Sequence, residues 1–124
     1  MRGASAIKEQ LKQVASANLK VLVVWEPVLP TDWGRPTTPV LSRVSDRRAM
    51  QFWDRDHLVA RELRQHLGEM HPSCCTSSGI LWDIVAVYRQ GAKWGATPAF
   101  IDGPVVDAAA DARTHIAVLA NNSR

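Results

Sequence analysis

Leu19-Lys20-Val21-Leu22-Val23-Val24-Trp25 and Ala49-Met50-Gln51-Phe52-Trp53 are the two stretches whose reading decides the fold. The first is a nearly unbroken β-branched run. Such a run, without polar alternation, reads as a strand covered on both faces, as in a parallel sheet. Pro27 and Pro30 end it, and residues 26–39 form a loop rich in Pro, Thr, Asp and Gly. Thr37 or Thr38 can cap a short helix with Pro39 at its first position, running to about Val44. The second stretch then reads as another strand. A helix between two adjacent strands predicts a parallel pair whose following loops open on one edge.

Working outward, Ile7, Leu11 and Val14 recur at helical spacing, which predicts an N-terminal helix ending near Asn18. Residues 57–67 predict a third helix, with Leu58, Leu63 and Leu67 on its apolar stripe. Asp54 or Asp56 offers its N-cap and Gly68 its stop. Residues 69–79 read as loop. Ile80–Tyr88 reads as a third strand, Arg89–Ala92 as a hairpin turn, and Lys93–Ile101 as a fourth strand interrupted at Pro98. Residues 105–119 predict a final helix. The expected architecture is one α/β domain over residues 1–124, a βαβαββα three-layer sandwich with an extra N-terminal helix and a core over about 19–119.

Length and charge agree with one globular domain. The chain has 124 residues, 46% hydrophobic and 22% charged, with 15 Lys plus Arg against 12 Asp plus Glu. A chain of this size forms a core without help from a metal or cofactor. Its net charge of +3 is spread thinly, with no dense basic run and no RNA-binding aromatic signature, so nucleic acid is not an expected partner. No apolar run approaches the ~20 residues of a membrane span. The N-terminal segment lacks the apolar stretch of a signal peptide, so the cytoplasm is the expected compartment, unless a leader precedes Met1.

The strand and helix order resembles the thioredoxin fold over about residues 19–119. Thioredoxins carry Cys-x-x-Cys directly after the first core strand, where this chain has Trp25-Glu26-Pro27-Val28-Leu29-Pro30-Thr31-Asp32-Trp33. The nucleophile of ordinary disulfide exchange is missing from that place. Pro72 lies in the connection where the family keeps a cis-proline, eight residues ahead of Ile80. The chain is also similar to uncharacterised bacterial thioredoxin-like proteins with WEP, TDW, WD and Trp-rich strand segments. That resemblance brings no established activity with it.

Three constellations carry candidate chemistry. Cys74 and Cys75 are the only cysteines, in His71-Pro72-Ser73-Cys74-Cys75. Adjacent thiols can act as nucleophile and resolving thiol, or bind a soft metal with His71 as a third ligand. The plainer reading is two reduced thiols in a mobile loop. Glu26 and Asp32 follow the first strand, and Asp54, Asp56 and His57 follow the second. Ligands bind outside the carboxyl ends of strands in open parallel sheets, so these groups could hold a divalent cation or act as acid and base. The plainer reading is a helix cap, an ion pair and a turn. Third, Trp25, Trp33, Trp53 and Trp82 each adjoin an acidic residue and either pack in the core or line a ligand or partner surface.

The functional expectation is an atypical thioredoxin-like protein, thiol-dependent through redox or soft-metal binding, with an unknown protein or a small thiol as partner. One alternative is a carboxylate and histidine site, metal-binding or hydrolytic, at the sheet edge. Another is a Trp-rich interaction module without catalysis, with a second copy of the chain as a candidate partner.

Overall fold

A computed structural model describes residues 2–31 and 34–122. The two deciding stretches form β1 (Val21–Trp25) and β2 (Ala49–Trp53). They are parallel neighbours in register, from Val21 opposite Ala49 to Trp25 opposite Trp53. Helix α1 (Arg2–Lys12) precedes them. Between them lie α2 (Thr38–Leu41), with Pro39 in its first turn, and a 3-10 turn over Ser42–Val44.

One expectation about β1 is corrected. Its outer face is not covered: Leu22 is 65% exposed and Met50 60%, with Val24 and Phe52 beside them. The four side chains form two cross-strand pairs on one face of the ribbon. Val21, Val23, Trp25, Ala49, Gln51 and Trp53 are half-buried on the other.

Arg48 joins this ribbon to α1. Its Nη1 donates to the carbonyls of Val14 (2.6 Å) and Ser16 (2.9 Å), and its Nη2 to that of Leu11 (2.9 Å). Asp46 holds the same guanidinium through two bonds, of 2.9 and 2.7 Å. A cation on the last carbonyls satisfies a helix end and complements its dipole.

Helix α3 (Leu58–Gln65) leads to Gly68, whose φ of +61° suits glycine. The expected loop over 69–79 contains a small hairpin, β3 (Thr76–Ser77) with β4 (Ile80–Leu81). Its turn residues, Ser78 and Gly79, both have positive φ, as a two-residue primed turn demands. The expected third strand breaks at Asp83, which has a φ of +53°, and resumes as β5 (Val85–Val87). After the predicted turn at Arg89–Ala92, a second turn at Lys93–Ala96 intervenes before β6 (Phe100–Asp102). β5 and β6 pair antiparallel, as expected, but through a long connection. Among the described residues there are thus three two-stranded sheets rather than one mixed sheet. At Asp83 a left-handed residue interrupts an otherwise continuous apolar stretch and divides the expected third strand into β4 and β5.

Helix α4 (Val105–Asn122) packs on α1, β5 and β6 and buries Ala108, Ala109 and Ala112. Small side chains allow that close approach, and Gly3 extends it: a Cβ there would stand 3.0 Å from Val105 Cβ. A second apolar cluster joins Leu67, Leu81 and Ile101, with Leu63, Met70 and Ile84 against it. The architecture is mixed α/β. No described helix is long and apolar enough to cross a membrane.

Candidate functional site

The parallel pairing delivers its two following segments to one edge. The Asp54 amide donates to the Trp25 carbonyl at 2.7 Å, carrying the ladder one residue past β2. Beyond it, His57 Nδ1 and Glu26 Oε2 meet at 2.8 Å. Glu26 and His57 are both largely buried. Burial pushes the Glu26 carboxyl above its ordinary value; the His57 bond opposes that push. His57 stands in the left-handed region, with φ +57° and ψ +33°. For a residue with a Cβ this is a strained conformation, of the kind that persists where surroundings enforce it.

Asp54 belongs to the structure of this edge rather than its chemistry. Its side chain is 7% exposed and accepts from the amides of Leu58 (2.8 Å), Val59 (2.9 Å) and Ala60 (3.5 Å). It thereby satisfies the first turn of α3, although it precedes the formal cap position. Asp56 is exposed and joins neither arrangement. Asp32 and Trp33 lie outside the described residues.

Trp25 and Trp53, opposite one another at the strand ends, line a cleft of about 250 Å³ with Arg35, Leu41 and Gln51. Gln51 orients one wall: its Oε1 accepts from Trp25 Nε1 at 2.8 Å, and its Nε2 donates to the Leu41 carbonyl at 2.9 Å. This role was missed at the level of sequence. A signal was present, since Gln51 is a polar residue between Met50 and Phe52, where alternation puts it on the inner face. Trp82 and Trp94 are exposed, the latter edge-on to His66.

The second assembly is the cysteine loop. Cys74 and Cys75 are joined as a disulfide between adjacent residues. Cys75 is buried, at 9% exposure and φ +72°, whereas Cys74 is only half-buried. Asp102, the last residue of β6, pins the residue before them. Its Oδ1 accepts from the Ser73 amide (2.7 Å) and the Gly103 amide (2.9 Å), and its Oδ2 from Ser73 Oγ (3.3 Å). Those bonds hold its carboxyl below the ordinary range. Gly103 completes the seat. A Cβ there would stand 2.6 Å from the Asp83 carbonyl and 3.4 Å from Cys75 Sγ. Neither Asp102 nor Gly103 was predictable, because each acts across a long separation in sequence.

His71, Cys74 and Cys75 do not form a three-residue cluster in the structure. Among the described residues, no group of three or more His, Cys, Asp or Glu side chains is gathered to hold a metal ion. Cys75 is turned against Gly103, while His71 is exposed on a separate cleft of about 270 Å³, with Arg64, Leu67, Met70, Pro72 and Thr76. The cis X-Pro bond of the described residues is Gly103-Pro104, not His71-Pro72. No protein-family model, no curated protein and no solved structure matches the chain.

Proposed function

We propose that the chain is an atypical, thiol-dependent thioredoxin-like protein whose redox element is Cys74–Cys75 rather than a Cys-x-x-Cys. One observation carries this reading. The two cysteines stand at disulfide distance in a loop that Asp102 pins and Gly103 accommodates. Reduction would break the sulfur–sulfur bond and leave Asp102 and Gly103 to hold the loop. Support for the fold comes from the parallel β1–β2 pair, the antiparallel β5–β6 pair and the helix that follows. Soft-metal binding by the reduced pair falls under the same reading, with the two sulfurs as ligands and without His71.

The test is equilibration in dithiothreitol buffers of graded potential, with thiols counted by alkylation and mass spectrometry. Two thiols should appear together and disappear together on reoxidation. The reduced protein, but not Cys74→Ser, should then bind phenylarsine oxide. A pair that cannot be reduced without unfolding the chain would overturn the proposal.

A second reading rests on the Glu26–His57 bond. A carboxylate on Nδ1 orients an imidazole and leaves Nε2 to accept a proton. This edge is then an acid–base site beside the Trp25–Trp53 cleft.

A further inference from the structure

The cleft at the ends of β1 and β2 offers two aromatic rings and a single charge. Trp25 and Trp53 line it from the two strands, Pro36 and Leu41 add apolar surface, and Arg35 supplies the cation. No acidic side chain lines it among the described residues. Arg35 is exposed and, among the described residues, makes no ion pair. Both ends of the Gln51 amide are occupied. Its Oε1 takes the Trp25 indole N–H, and its Nε2 donates to the carbonyls of Leu41 (2.9 Å) and Val44 (3.3 Å). An indole has one N–H to give, so Trp25 presents a guest with its ring alone. Both indoles are half-buried, which leaves part of each surface to the cleft. Its volume, about 250 Å³, falls below the range of about 300–1,000 Å³ that holds drug-sized ligands, so a guest must be small.

We infer that this cleft is a binding site for a small aromatic monocarboxylate, with the flat ring against Trp25 and Trp53 and the carboxylate on Arg35. Each part of the guest answers an observation. Indole surfaces favour offset or edge contacts with another aromatic ring. A guanidinium is a planar fork that fits a carboxylate through two parallel hydrogen bonds. One cation with no acid beside it balances one negative charge, which favours a carboxylate over a phosphate of nearly twice that charge. The site is independent of the thiol pair, since neither cysteine lines it.

The experiment follows the indole N–H signals of the isotope-labelled full chain by NMR during titration with hydrocinnamate, its uncharged amide and cyclohexanepropionate. Trp25→Phe and Trp53→Phe assign the signals, and affinity is read from the curvature of each shift. With hydrocinnamate, Trp25 and Trp53 should shift together and saturate in the millimolar range, as a guest of about ten heavy atoms allows. Trp82 and Trp94, exposed and outside the cleft, should not follow them. The amide and the cyclohexyl acid should each bind about three- to fivefold more weakly, one lacking the charge and the other the aromatic contact. Arg35→Gln should bring hydrocinnamate down to the affinity of its amide and leave the amide unchanged. Arg43→Gln removes an exposed charge outside the cleft and should alter neither. If Arg35→Gln fails to fold, molar salt on the unaltered protein should erase the preference for the acid over its amide. Equal binding of acid and amide, equal binding of the two acids, or shifts as large at Trp82 and Trp94 would overturn the inference. So would the absence of any shift at Trp25 and Trp53. Each of these outcomes leaves the thiol reading intact.

Discussion

The edge of the β1–β2 pair and the cysteine loop solve the same problem differently. At the edge, backbone pairing does the placing: two strands in register set Glu26 and His57 side by side, and a buried carboxylate starts the following helix. At the loop, the local backbone is irregular, and a carboxylate 29 residues away holds it. Regular pairing positions side chains through many weak bonds, each replaceable. A pinned loop depends on a few contacts of exact fit, so its sensitivity to single changes should be greater.

The largest expected effect is at Gly103. In Gly103→Ala the new Cβ meets the Asp83 carbonyl, a backbone atom with little freedom to move. Such overpacking costs about 2–3 kcal/mol, readable as a drop in urea midpoint at unchanged slope. An unaffected midpoint would break the idea that the loop is the tighter fit. Next is Asp54→Ala at the other region, which removes three acceptances from the first turn of α3. A loss of about 1–2 kcal/mol is expected, with fastest amide exchange at Leu58 and Val59.

The smallest effect, and the sharpest comparison, is an acid titration followed by NMR. Burial raises Glu26 above its ordinary 4.5, so the folded state favours its protonated form. Its contribution to stability is present below the unfolded value and is lost as pH rises through the folded one. Asp102 is lowered from 3.8 by its bonds from Ser73 and Gly103. Its contribution is present above that value and is lost as pH falls through the folded one. On acidification, Glu26 should therefore titrate first, and the Ser73 amide should shift only afterwards. At the opposite end of β2, Asp46, held by Arg48, should titrate last, at about 2. The reverse order would show that neither carboxylate sits where the two regions require it.

Much of the first region was legible along the chain. Two apolar runs flanking a short helix imply parallel neighbours, and acids after both runs imply a shared edge. The capping carboxylate was narrowed to Asp54 or Asp56, and geometry selects Asp54. The exposed outer face was not legible. A run such as LKVLVVW lacks alternation, and periodicity cannot distinguish a strand covered twice from one left open on a side.

By itself, the amino-acid order determined where the four helices and the two parallel strands lie, because those preferences are local and repeat with a fixed period. It also placed two cysteines side by side. The tertiary structure alone decided that Asp83 breaks a strand, that Arg48 closes α1, and that Asp102 and Gly103 seat the cysteine pair while His71 faces elsewhere. These depend on atoms far apart in the chain arriving within hydrogen-bonding or van der Waals reach, and no local pattern records such meetings.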